Sequence, residues 1–165
     1  MRYILPIISL LIAVGLQVNL PSGFNIFGAK PDLALVVLIA YALAADPMFG
    51  ATLGFAAGLI HGSAVGISLG SFIVTRTITG FLAGLLTTRV FSENPIVPMF
   101  SAAWLTLVNE LLFLLINPRF APAVAFRTIG GECLFNSLLA LLLYWLLKYL
   151  ETRRKIRLVN ARMRI

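Results

Sequence analysis

The sequence predicts an all-α polytopic membrane protein, folded as a six-helix bundle. Of its 165 residues, 60% are hydrophobic and only 12% are charged, and the mean hydropathy is +0.99. Soluble domains carry about 25% charged residues, and a water-soluble core of this length could not bury so much apolar surface. The composition therefore excludes a soluble globular domain, and it equally excludes a disordered or collagen-like chain.

Six apolar segments follow one another along the chain, separated by short, turn-rich stretches. A helix that spans a membrane needs roughly 20 apolar residues, and the intervening stretches are too short for a sizeable soluble domain. The predicted spans are residues 3–20, 32–45, 47–61, 67–86, 95–116 and 129–149. We therefore expect residues 1–149 to form a six-span transmembrane domain and residues 150–165 to form a basic cytoplasmic tail.

The first segment has one feature of a signal peptide, because Arg2 precedes its apolar run. The run from Tyr3 to Leu16 lies at the long end for the core of a signal peptide. No cleavage site with the small-x-small pattern follows in residues 17–23. We therefore expect an uncleaved first span.

The second and third segments are each short for a full span and are separated only by Asp46. They could form two tilted helices, a hairpin or one broken helix. Two helices are favoured because aspartate caps free amides at a helix start and Pro47 then suits the first turn. A break inside the bilayer would also leave backbone groups without hydrogen bonds. Asn94-Pro95 repeats this start at the fifth segment, and Asn117-Pro118 ends that segment.

Most of the net charge of +7 lies at the C-terminal end of the chain. The positive-inside rule places this end in the cytoplasm, and six spans then place the N-terminus there too. Each basic residue near an anionic lipid surface contributes about 1 kcal/mol, so we expect the tail to lie on the membrane lipids. Contact with an acidic cytoplasmic protein is the alternative. The tail residues expected to make these contacts are Arg153, Arg154, Lys155, Arg157, Arg162 and Arg164.

Glycines recur at intervals of four in the third segment and its exit, and again in the fourth segment. Small residues let helix backbones approach closely in lipid, where little hydrophobic force acts between helices. The spacing therefore predicts tight helix packing within the bundle, or a docking face for another membrane protein. The glycines concerned are Gly50, Gly54, Gly58, Gly62, Gly66, Gly70, Gly80 and Gly84.

Ionisable side chains inside apolar spans cost about 2.5–3.5 kcal/mol at the centre of a helix and are expected to have a role. From the helix rise, Arg76 lies roughly 14 Å and Glu110 roughly 9 Å below the outer ends of their helices. We therefore expect these two side chains to pair. The outer half of the bundle collects further polar groups, either as interfacial residues beside a buried pair or as a lined cavity or partner-binding surface. The predicted polar cluster comprises Asp32, His61, Arg76, Asn109, Glu110 and Glu132.

No motif of the sequence supports catalysis. Cys133 is the only cysteine and His61 the only histidine, so neither a metal ligand set nor a disulfide framework is expected. A serine-protease centre of His61 and Ser63 fails because residues two apart point to opposite sides of a helix. The sequence has no glycine-rich phosphate loop with a lysine and no HExxH motif. We expect no enzyme activity, no cofactor and no nucleic-acid partner.

Two stretches resemble the sequence patterns of one family. Pro31-Asp32-Leu33 is similar to a Pro-Asp/Asn-x-x-Leu start of a second helix. Residues 54–70, which read GFAAGLIHGSAVGISLG, resemble Gly-x-x-x-Gly followed by Ser-Gly-x-x-Leu-Gly. Both patterns are those of rod shape-determining protein MreD, and the length, the span count and the basic tail agree over the whole chain. The chain departs from the pattern at Gly62, where the family usually has aspartate, and at Val65, where it has a small polar residue. The adjacent His61 could serve in place of that aspartate.

The resemblance implies a non-catalytic scaffold in the inner membrane of a bacterium, within the machinery that elongates the cell and synthesises peptidoglycan. It implies partnership with MreC, and further with RodA, a class B penicillin-binding protein and MreB. It also implies a fold resembling the substrate-binding subunits of energy-coupling-factor transporters. That likeness supplies the alternative function, a substrate-binding subunit of a small-molecule transporter whose pocket is the outer polar cluster.

Overall fold

The computed structural model describes residues 3–21, 29–90, 96–118 and 122–162. This part of the chain is an all-α bundle of six helices. In chain order they are α1 (Ile4–Val18), α2 (Leu33–Ala42), α3 (Pro47–Val65), α4 (Leu69–Val90), α5 (Ile96–Ile116) and α6 (Pro122–Arg162). Helix α6 begins at Pro122 rather than near residue 129, and it continues without a break into the predicted tail.

Four of these helices are long and apolar enough to cross a membrane. They are α3, the first part of α4 (Leu69–Leu86), α5, and the middle of α6 (Phe126–Leu146). Helices α1 and α2 are apolar but shorter. The ten residues of α2 extend roughly 15 Å, which is about half of the hydrocarbon thickness of a bilayer. The bundle therefore combines four helices of spanning length with two shorter apolar helices.

The second and third predicted segments are two separate helices, and aspartate side chains start both of them. Asp32 Oδ1 accepts a hydrogen bond from the Leu35 amide at 2.8 Å, and Asp46 Oδ1 accepts one from the Phe49 amide at 2.8 Å. Proline occupies the first turn of α3, and Gly66 ends that helix in the left-handed region with φ of 75°. Local sequence therefore determines where these helices begin and where α3 ends.

Helix α2 lies at the centre of the bundle and packs against each of the other five helices. Its residues are buried almost all round; Leu35 and Leu38 are fully buried, and Ile39 is 2% exposed. A helix that is apolar on every side is suited to a position inside a bundle.

Helices α3 and α4 form the closest pair in the bundle, and most of the predicted glycines lie between them. A Cβ atom on Gly58 would lie 2.5 Å from the Ile73 Cα, and one on Gly84 would lie 2.5 Å from the Pro47 Cα. Gly50 and Gly80 face each other, and Gly54 faces the backbone of Arg76. Gly62 packs on Leu69, whereas Gly70 has open space around it. Small residues thus bring these two backbones into contact.

Replacement of Gly58 by alanine should destabilise the protein, because the new methyl group would collide with the backbone of α4. Overpacking of this kind costs about 1–3 kcal/mol. Gly15→Ala is the matched control, since a Cβ at Gly15 meets nothing within 4 Å. Thermal unfolding in detergent would measure both variants. Equal melting temperatures for Gly58→Ala and Gly15→Ala would contradict the close packing of α3 and α4.

Candidate functional site

Polar side chains from all six helices come together at one end of the bundle. This end contains the last turns of α1 and α3 and the start of α2. Helices α4, α5 and α6 also contribute polar side chains to it. Hydrogen bonds, ion pairing or electrostatic interactions connect the groups to one another. We call this set the polar cluster, and its members are Gln17, Asp32, His61, Arg76, Asn109, Glu110, Glu132 and Asn136.

Arg76 lies at the centre of the polar cluster and is fully buried. Its Nη2 donates to Asp32 Oδ2 at 2.5 Å, forming an ion pair between α4 and the start of α2. The same nitrogen contacts His61 Nδ1 on α3. The guanidinium carbon also lies 5.6 Å from the centre of the Phe72 ring, within the range of a cation–π interaction. One cation therefore connects three helices.

The side chain and the backbone amide of Asp32 bond to different helices. One carboxylate oxygen pairs with Arg76 while the other caps α2. The backbone amide of Asp32 donates to Asn136 Oδ1 on α6 at 3.0 Å. Asn136 is fully buried, and its Nδ2 donates to Thr106 Oγ1 on α5 at 3.1 Å. The start of α2 is thereby joined to α4, α5 and α6.

His61 lies between Arg76 and Gln17. A guanidinium nitrogen can only donate, so the ring nitrogen Nδ1 that it contacts accepts. The other ring nitrogen, Nε2, lies 3.4 Å from the side-chain nitrogen of Gln17. Gln17 Oε1 accepts from the backbone amide of Ala34 at 3.2 Å, which brings α1 into the polar cluster. His61 thus connects Arg76 on α4 to Gln17 on α1.

Glu110 and Glu132 form a second part of the polar cluster. Their side chains lie close enough to interact electrostatically. Asn109 Nδ2 donates to Glu110 Oε1 at 2.9 Å, and Thr79 Oγ1 on α4 donates to Asn109 Oδ1 at 3.4 Å. These contacts join α4, α5 and α6 beside the Arg76 ion pair.

The predicted ion pair between Arg76 and Glu110 is wrong, because Arg76 pairs with Asp32 instead. Nε and Nη1 of Arg76 have no hydrogen-bond partner among the described residues. Counting residues along each helix gave the depths of Arg76 and Glu110, and both residues lie in the polar cluster. Depth alone does not determine which carboxylate the guanidinium faces, because that depends on how each helix is rotated about its axis.

The structure assigns the other predicted site residues to different places. Six of the glycines lie in the contact between α3 and α4, while Gly66 ends α3 and Gly70 is exposed. The side chains of the predicted tail contacts lie outside the described part of the chain, namely Arg153, Arg154, Lys155, Arg157, Arg162 and Arg164. Those contacts therefore stay predictions.

Sequence reasoning missed Gln17 and Asn136, which the structure places in the polar cluster. Each is an amide side chain within or at the end of an apolar segment, and this was the available signal. Buried amides in a membrane need hydrogen-bond partners, and both side chains have them on other helices. Uncharged amide residues in apolar segments therefore also indicate where helices contact one another.

The polar cluster can hold the helices together through its ion pair and hydrogen bonds. No group of three or more His, Cys, Asp or Glu side chains suited to a metal ion occurs within the described ranges. Cys133 has a free thiol that donates weakly to the Ala103 carbonyl oxygen at 3.5 Å.

Comparison with known proteins identifies a matching family. A family model described as rod shape-determining protein MreD matches residues 1–154. No curated protein matches the chain, and no solved structure matches it. The expected resemblance of the fold to substrate-binding subunits of energy-coupling-factor transporters therefore stays a prediction, and no observation favours that alternative function.

Replacement of Asp32 by asparagine should destabilise the protein strongly. Asparagine retains an oxygen that can cap α2, but it removes the charge that pairs with buried Arg76. Removal of one partner of a buried pair costs about 3–5 kcal/mol, because the other charge is left without compensation. We expect a loss of this size for Asp32→Asn, measured as unfolding free energy in detergent.

The double variant Asp32→Asn with Arg76→Gln tests the same ion pair. We expect its loss of unfolding free energy to be smaller than the sum of the losses in the two single variants, since the effects of substitutions at residues in contact are not additive. Glu110→Gln combined with Arg76→Gln should be closer to additive. Additive losses for the Asp32 pair would show that the two charges do not stabilise one another.

Proposed function

The chain belongs to the MreD family of rod shape-determining proteins, and from this we propose that it is a non-catalytic membrane scaffold of the bacterial cell-elongation machinery. The scaffold binds partner membrane proteins and thereby helps to maintain rod shape and peptidoglycan synthesis. The proposed partners are MreC, and further RodA, a class B penicillin-binding protein and MreB. The proposed location is the inner membrane, with both termini in the cytoplasm.

The main support for a scaffold is the contrast between the inside and the outside of the bundle. Its polar groups and most of its close-packing glycines are used for contacts within the bundle. The spanning windows of α5 and α6 have 28% of their residues buried, against 44% for α3. Helices α5 and α6 therefore leave a large apolar surface open to the membrane. This surface is available for the spans of other proteins.

A groove runs along this surface between α5 and α6. It encloses a volume of about 390 Å³ and has an almost wholly apolar lining. Its lining includes the small residues Ala103, Gly130 and Ser137, together with the larger Phe100 and Leu138. Small residues allow a neighbouring helix to approach closely in lipid. We propose that a membrane-spanning helix of a partner protein lies in this groove.

Helix α6 also supports a cytoplasmic role. Its backbone continues to Arg162, beyond the membrane-spanning window that ends at Leu146. The additional residues extend the helix by roughly 24 Å. We propose that this extension places the basic C-terminal sequence at the inner membrane surface, where it contacts anionic lipid or an acidic partner.

Co-purification tests the scaffold. The protein would be extracted from its native membrane in mild detergent and captured, and the accompanying proteins identified by mass spectrometry. We expect MreC, RodA or a penicillin-binding protein in the eluate. An eluate that instead holds an ATPase-bearing transport complex, or none of these proteins, would contradict the proposed function.

Gly130→Leu tests whether the groove is the binding surface. A Cβ at Gly130 meets nothing within 4 Å, so the bundle should tolerate leucine while the groove is filled. We expect the recovery of the partner to fall by about tenfold, the equivalent of roughly 1.4 kcal/mol.

Gly70→Leu is the matched control, because Gly70 is also helical, exposed and without neighbours within 4 Å. We expect it to retain the partners. Equal recovery of the partners with Gly130→Leu and Gly70→Leu would show that the groove is not the binding surface. The proposed scaffold function would be unaffected by that result.

A further inference from the structure

We propose that the exposed face of α1 makes the bilayer beside it thinner than the bilayer beside α5 and α6, so that this face binds lipids with short acyl chains. Helix α1 has 15 residues, Ile4–Val18, and rises by roughly 21 Å from its first to its last Cα atom. The hydrocarbon core of a typical bilayer is about 30 Å thick. An apolar helix that is shorter than this core is accommodated by local thinning of the bilayer.

Helix α1 presents large apolar side chains away from the bundle over its whole length. Leu5, Ile8, Ile12 and Leu16 follow one another at helical spacing and are 48–64% exposed, whereas Leu10 on the opposite face is fully buried. Among the described helices, α1 packs only against α2 and α3. In a membrane the exposed face is therefore in contact with lipid.

Both ends of α1 are held against α3, which is long enough to span a membrane. The Tyr3 ring stacks on the Phe49 ring near the start of α3, with 4.8 Å between the ring centres. At the other end, the Gln17 side-chain nitrogen lies 3.4 Å from His61 Nε2 near the end of α3. Gln17 Oε1 also accepts from the Ala34 amide at 3.2 Å. These contacts prevent α1 from sliding along α3, so they determine where its apolar face begins and ends.

Side chains suited to the membrane surface lie just beyond both ends of the apolar face. Tyr3 precedes α1, and tyrosine is enriched at membrane–water interfaces. Asn19 follows α1 and is exposed, and its amide nitrogen donates to the Gly15 carbonyl oxygen of the same helix at 2.7 Å. This bond folds the short side chain back along the helix. The exposed apolar length between Tyr3 and Asn19 is therefore roughly 21 Å.

The other side of the bundle has the full length of a bilayer. The apolar windows of α5 and α6 have 21 residues each, which corresponds to a rise of roughly 30 Å. Neither helix contacts α1 within the described part of the chain. Two surfaces of one bundle thus differ in apolar length by roughly 9 Å. The inference concerns a different surface from the groove between α5 and α6, and it does not depend on the proposed scaffold function.

Quenching of tryptophan fluorescence by brominated lipids tests the proposal on the reconstituted full-length protein. The chain has two tryptophans, Trp104 and Trp145. One variant combines Ile12→Trp with Trp104→Phe and Trp145→Phe, so that it reports on lipid at α1. The matched control carries only Trp145→Phe and reports on lipid at α5. Ile12 and Trp104 are 58% and 60% exposed, and each lies eight residues after the first residue of its helix, Ile4 or Ile96.

Brominated phosphatidylcholines with short or long acyl chains would compete with the unbrominated lipid in each sample. The ratio of short-chain to long-chain binding should be about twofold or more higher at Ile12→Trp than at Trp104, because mismatch has an energetic cost for each ångström. An equal or lower ratio at Ile12→Trp would overturn the proposal. Ile12→Trp fluorescence that no brominated lipid quenches would also overturn it, because the α1 face would then be covered by protein.

A change in the length of the apolar face tests whether length is the cause. Asn19→Leu extends the apolar run as far as Leu20, an increase of roughly 3 Å, so the preference at Ile12→Trp should shift toward longer chains. Gly15→Leu is the control, because Gly15 is exposed, a Cβ there meets nothing within 4 Å, and the substitution adds no length. A preference that Asn19→Leu leaves unchanged, or that Gly15→Leu shifts equally, would overturn the proposal.

Discussion

The burial of a single arginine determines how this bundle is assembled. Arg76 is fully buried in a protein whose helices are largely apolar, and a charge in that position needs a counter-charge and hydrogen bonds. Asp32 supplies the counter-charge from the start of α2, and His61 supplies an acceptor from α3. Because both partners are on other helices, the arginine can be accommodated only when α2, α3 and α4 are assembled together.

Close packing of α3 on α4 makes this arrangement possible. Gly54 faces the backbone of Arg76 itself, and Gly58 faces α4 near Ile73, less than one helical turn away. Without side chains at these positions, α3 approaches α4 closely enough for His61 to reach the guanidinium. The glycines and the ion pair therefore act together. The glycines determine how closely α3 approaches α4, and the charged side chains determine how the helices are aligned.

The use of polar groups inside the bundle has a consequence for its outer surface. Asp32, Asn136 and Thr106 bond to one another or to the arginine across four helices. The surface that α5 and α6 present to the membrane is then apolar and shaped by small residues. In lipid, such a surface allows close approach of a neighbouring helix. This agrees with a role in the rod-shape machinery, to which the MreD family belongs.

The sequence by itself determined the fold class, the membrane environment and the starts of α2 and α3. These features follow from composition and from local capping by Asp32 and Asp46, which act over a few residues. The sequence also indicated that Arg76, Asp32, His61 and the glutamates lie at a similar depth. Only the tertiary structure decided that Arg76 pairs with Asp32 and not with Glu110. Depth follows from counting residues along a helix, whereas the choice of partner depends on the rotation of each helix and on contacts between residues far apart in the chain.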